Sequence, residues 1–125
     1  MGLRIVAEKW KEAGMAKYNL AHKAVLDEML LGDPRVRPGK MFGYPAYYAG
    51  EKLAICHYED GVGVKLPAEV AAQLIEADSN VIPFQPLGRP KMREWVQINA
   101  SAAGDFESYR AVFEESIRFV LSLQG

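Results

Sequence analysis

The sequence predicts an α+β domain, a two-layer sandwich with a mainly antiparallel five-stranded sheet and helices on one face. Three observations predict it. Apolar residues recur at helical steps of three and four near both ends of the chain. The period drops to two in the middle. Asp60-Gly61 then joins two of the middle runs with a strong hairpin signal. At 125 residues, half of them apolar and a quarter charged, the chain fits one domain, 1–125. A core of that size needs no disulfide or metal.

The expected order is α-β-β-β-α-β-β-α. Residues 6 to 31 read as helical: Tyr18, His22, Val25, Leu26, Met29 and Leu30 fall on one face. Gly14 weakens the first half, so a break near it fits. Gly32-Asp33-Pro34 ends the helix. Strands are expected over 41–48, 52–59 and 62–66. A type I′ turn at Asp60-Gly61 pairs Glu59 with Val62 and His57 with Val64. A type II′ turn at Gly50-Glu51 pairs Tyr48 with Leu53 and Ala46 with Ile55. On that register Phe42, Tyr44, Ala46, Tyr48, Leu53, Ile55 and His57 face the core. Met41, Gly43, Pro45, Tyr47, Ala54, Cys56 and Tyr58 face away.

Pro67 begins a short helix running to about Ala77. Pro83, Pro86 and Pro90 make residues 81–91 an irregular or edge strand. Met92 to Ile98 is a clearer strand. Asp105 is the expected N-cap of a last helix, 106–123, with Phe106, Tyr109, Val112, Phe113, Ile117, Val120 and Leu121 as its apolar stripe.

Net charge is −1, which disfavours general affinity for nucleic acid or anionic membranes. The charge is nonetheless segregated. Residues 34–58 carry Arg35, Arg37, Lys40 and Lys52 against Glu51, a net +3. Residues 81–93 carry Arg89, Lys91 and Arg93 with no acid, again +3. Residues 59–80 stand at −4 and residues 94–125 at −3. Arg35, Arg37, Lys40, Arg89 and Lys91 are therefore a candidate anion patch, formed where the two basic loops share an edge. No apolar run of membrane-spanning length occurs, no signal peptide is expected, and the single Cys56 fits a reducing, cytoplasmic setting.

Chemistry is sparsely provided for. Cys56 and His57 are neighbours on a strand, so they point to opposite faces and cannot act as nucleophile and base together. His22, Cys56 and His57 lack structural-zinc spacing, and no phosphate-binding or hydrolase motif is present. No catalytic, cofactor or metal residues are expected. The stronger candidate is the second face of the sheet. With Met92, Val96 and Ile98 inward, Arg93 and Trp95 join Tyr47 and Tyr58 on the open side. Aromatics beside arginine suit a protein contact, including a second copy, or single-stranded nucleic acid.

Several motifs in this order resemble the TfoX/Sxy N-terminal-domain family. They are Lys40-Met41-Phe42-Gly43-Tyr44, Tyr48-Ala49-Gly50-Glu51-Lys52-Leu53-Ala54, Val64-Lys65-Leu66, Pro83-Phe84, and Gly88-Arg89-Pro90-Lys91-Met92-Arg93-Glu94-Trp95. The match covers about residues 36–121. The resemblance implies a stand-alone domain with a compact two-layer fold and one open sheet face, and it supplies no catalytic residues. The founding members regulate competence and carry a second, C-terminal domain, which is not expected in a chain ending at Gly125. The function expected is a non-enzymatic interaction or regulatory module, acting through protein contact and as a homodimer. The alternatives are a nucleic-acid-binding regulator and a small-molecule protein or enzyme with a pocket between sheet and helices.

Overall fold

A computed structural model describes residues 10–13 and 16–124. Strands β1 (Trp10–Ala13) and β2 (Ala16–Asn19) pair with each other as a two-stranded antiparallel ribbon. Helix α1 (Leu20–Leu30) follows. Then come β3 (Val36–Met41), β4 (Tyr44–Ala49), β5 (Lys52–Tyr58) and β6 (Gly61–Lys65). Helix α2 (Ala68–Ala77), β7 (Val81–Pro83) and β8 (Trp95–Asn99) precede a 3-10 segment, Ala103–Tyr109, and helix α3 (Arg110–Ser122). The main sheet has six antiparallel strands in the order β3-β4-β5-β6-β8-β7. The α+β sandwich expected from the sequence is the observed architecture.

The core lies between one sheet face and the three helices. Ile55, Val62, Val64, Val96 and Ile98 from the sheet meet Leu26, Leu30, Phe106, Phe113, Ile117 and Val120. All but Leu30 and Ile117 of these are at most 1 % exposed. Burying such side chains contributes roughly 1.5–3 kcal/mol each before entropy is counted. The helical stripe from His22 to Leu30 is as the spacing predicts, and α2 runs over the expected residues.

Five details differ from expectation. The long first helix begins only at Leu20. Asn19 fixes that start, because its side-chain oxygen accepts from the backbone N–H groups of Ala21 and His22. Residues 10–13 and 16–19 are strand, while 6–9, 14 and 15 lie outside the described residues. The sixth strand is β3, whose Pro38 and Gly39 hide it in the sequence; an edge position tolerates the proline. Asp105 does not cap the last helix. It sits inside the 3-10 segment, where its carboxylate accepts from the Ala102 N–H, 3.2 Å away.

The fourth difference is a β-bulge. Tyr48 pairs with Leu53, but Tyr47 pairs with Ile55, leaving Ala54 as an extra residue on β5. One inserted residue reverses side-chain parity on everything beyond it. From Ile55 onward β5 faces as expected. Across the bulge Tyr44, Ala46, Tyr48 and Leu53 lie on the outer face, and Tyr47 turns into the helix-covered core. The β5–β6 turn also moves: Tyr58 pairs with Gly61 and His57 with Val62, so Glu59-Asp60 form the turn, with Glu59 at φ +53. That shift is two residues in register and leaves the faces unchanged.

Candidate functional site

The outer face of the sheet is a trough with a filled centre. Its middle row is Gly39, Ala46, Cys56, Gly63 and Gln97, mostly small side chains. The flanking rows hold Tyr48, Leu53 and Trp95 on one side and Tyr44 and Tyr58 on the other. Past Pro83 the chain leaves β7 and folds back across this face. Phe84, 2 % exposed, drops into the trough against Ala46 and Cys56. A Cβ on Gly63 would lie 2.7 Å from the Phe84 ring, so glycine is required there by close approach. The ring meets Tyr58 edge-on at 5.7 Å and Trp95 at 5.6 Å between centroids. The Leu87 N–H then donates to Tyr58 Oη at 3.0 Å, and the Arg89 guanidinium sits 5.1 Å over the exposed Phe42 ring. Residues 84–92 thus form a strap over the open face.

The strap leaves a groove at one end. It has a volume of about 440 Å³ and runs between α2 and residues 91–95. Its floor is Ala68, Ala72, Ile75, Pro83, Met92 and Trp95. β7 stops at Pro83, opposite Val96, so no strand covers β8 beside Trp95. Lys91 and Arg93 stand on one wall and Glu69 on the other. Lys65 approaches Trp95 at 5.7 Å from the ring centroid and holds Glu94 at 3.3 Å. Lys91 and Arg93 are exposed and make no ion pair with any described residue.

The four residues expected on a partner-binding face divide accordingly. Trp95 and Tyr58 do lie on the outer face, both half-buried by the strap, and Arg93 stands at the groove rim in a turn before β8. Tyr47 does not belong with them. It is 2 % exposed on the opposite side of the sheet, placed there by the bulge at Ala54. The expected anion patch is likewise not one cluster. Arg35 is held by Asp33 at 2.6 Å and Glu114 at 2.8 Å, beside α3. These hydrogen bonds pull Asp33 down to about 2 and lift the guanidinium further above its usual value. Arg37 donates to the Gly50 carbonyl at 2.8 Å. Lys40 lies at the far end of β3, next to the hairpin that carries Phe42 beneath Arg89, and Lys91 lines the groove.

A polar network absent from the sequence reading sits in the core. Tyr47 Oη donates to Asp27 Oδ1 at 2.7 Å, so the bond from His57 Nε2 at 2.9 Å must be donated by the histidine. This assigns neutral His57 with its proton on Nε2. Lys23 Nζ holds the other Asp27 oxygen at 2.6 Å. Burial pushes His57 down to about 3 and raises the Tyr47 phenol well above its usual range. His22, 3 % exposed, packs edge-on against Phe106, and its Nδ1 lies 4.0 Å from Asp60 with no hydrogen-bond partner among the described residues. Burial lowers its pKa, against the pull of Asp60. Neither histidine lines the groove. Cys56 lies on the other side of the sheet under Phe84, its thiol pushed up to about 12 by burial. Among the described residues no three His, Cys, Asp or Glu side chains gather as a metal site, and no helix is long and apolar enough to cross a membrane.

The groove was hidden in the sequence because its walls are far apart in the chain. The signal available was the alanine-rich exposed side of residues 68–75 next to an acid-free 81–93 segment. No family model matches the chain, and comparison with curated proteins and with solved structures gave no match.

Proposed function

We propose that this chain is a non-enzymatic interaction or regulatory module, of the TfoX N-terminal-like kind, that works through protein–protein contact at the Trp95 groove. One observation carries the reading: an apolar floor ending on a half-buried tryptophan is rimmed by two exposed cations that make no ion pair among the described residues. Tryptophan and arginine are the side chains most enriched where binding energy concentrates. A buried aromatic anchor inside a polar rim is the usual anatomy of a contact site. A cytoplasmic location is part of this reading, and the single thiol, buried and unpaired, is in keeping with it.

The test is a photo-crosslinking side chain at position 72, on the groove floor. Trp95-dependent adducts with another polypeptide chain are expected. Adducts that persist in Trp95→Ala, or none at all, would overturn the reading.

Single-stranded nucleic acid is a second reading, favoured by the exposed Lys91 and Arg93 beside Trp95. It is weakened by Glu69 in the groove, by Glu94 beside it, and by Phe84, which occupies the stacking face. It requires steeply salt-dependent binding that falls when Arg89, Lys91 and Arg93 become Ala. An unshifted oligonucleotide at low salt removes it.

A further inference from the structure

We infer that the occupant of the groove is a second copy of this chain, related by a two-fold axis running along the groove. This deepens the contact reading and rests on it. The argument is charge placement. One wall is α2, where Glu69 lines the groove and the exposed Gln73 and Glu76 continue its stripe along the helix at i+4 and i+7. The opposite wall carries Lys91 and Arg93. Between them lies the apolar floor from Ala68 to Trp95.

A two-fold interface brings one patch against itself, so the patch must be self-complementary. An axis parallel to the groove sets each α2 wall over the other copy's Lys91–Arg93 wall. Acid then meets base twice, and the two floors face each other. An axis across the groove would set acid on acid and base on base, which is costly in a desolvated contact. The distribution of charge therefore selects one axis as well as one partner. The alanines of α2 allow close approach, since Ala72 and Ala68 present little side chain at the groove.

Sedimentation and charge reversal test this directly. The wild-type chain is expected to dimerise with rising concentration. Lys91→Glu with Arg93→Glu, and separately Glu69→Lys with Glu76→Lys, are each expected to weaken self-association at least about 100-fold by placing like charges face to face. All four positions are exposed, so folding is retained. An equimolar mixture of the two variants restores a heterodimer, which also shows that both are folded. A wild-type chain still monomeric at about 1 mM, the floor of useful affinity, overturns the inference, as does a mixture that fails to pair. The crosslinker at position 72 separates this failure from that of the contact module. Trp95-dependent adducts with a different protein, alongside a monomeric wild type, leave the module standing without the dimer. No Trp95-dependent adduct removes both.

Discussion

At the scale of the residue, His57 and Tyr47 do the most specific work. Neutral His57 donates to Tyr47, which donates to Asp27. Tyr47→Phe deletes both bonds and leaves the His57 Nε2–H without an acceptor. A loss of about 1–3 kcal/mol in urea unfolding is expected, since an orphaned buried donor costs its full desolvation. His57→Gln, which keeps a side-chain donor, is expected to lose less. The same histidine sets an acid limit. Its folded pKa is depressed to about 3, against an unfolded value near 6.5. Above pH 6.5 neither state is protonated and the group adds no pH dependence. As pH falls below 6.5 the unfolded chain binds a proton that the folded chain refuses. Stability then drops by up to about 1.4 kcal/mol per pH unit until about pH 3. His22 adds to this loss in the same direction. Urea midpoints flat from pH 5 to 7 in the wild type would contradict the assignment; His57→Gln should flatten the profile.

At the scale of the element, the bulge and the strap decide which side chains are available. Ala54 is where reading the sequence stops working. The period-two pattern of 41–48 fits either parity, because large apolar and aromatic side chains occupy both sets of alternate positions: Phe42, Tyr44 and Tyr48 on one, Met41 and Tyr47 on the other. Only the extra residue on the partner strand chooses, and no local signal marks it. By contrast, β6 and the inward set of β8 were legible, since valine and isoleucine alternate there with glycine, lysine, glutamine and asparagine. β3 was missed for its Pro38, and the ribbon before α1 for want of any strong pattern. The strap itself follows from Pro83-Phe84, though its target does not. Phe84→Ala should cost about 3–5 kcal/mol by emptying the trough. Gly63→Ala places a methyl against the same ring. Its penalty should shrink in a Phe84→Leu background, with a coupling of about 0.5–3 kcal/mol in a double-mutant cycle. Independent, additive losses would mean that the two sites do not touch.

At the scale of the molecule, the fold class followed from composition and period, while the site did not. Segregated charge was visible as numbers per segment. Its use was not, because residues 68–76 and 91–93 meet only after β7 stops short and the strap returns to β8. A near-neutral chain with opposed charged walls should associate electrostatically with itself. Its self-association is accordingly expected to weaken as salt rises from about 0.02 to 0.5 M, because the Debye length falls across the contact distance. Sedimentation at the two salt levels checks this, and association that strengthens with salt would point to the apolar floor alone.

The lone thiol under Phe84 makes the molecule its own stopwatch. Cys56 is inaccessible with the ring seated, and a thiol held near 12 is almost unreactive. A disulfide reagent at mild alkaline pH can react only with chains whose strap has lifted or that have unfolded altogether. Labelling far faster than global unfolding allows would therefore measure the opening equilibrium of residues 84–92 on its own. Labelling that tracks global unfolding would make the strap an inseparable part of the core. One unmodified side chain thus reports, without any engineered probe, whether the aromatic sheet face is ever bared in the native protein.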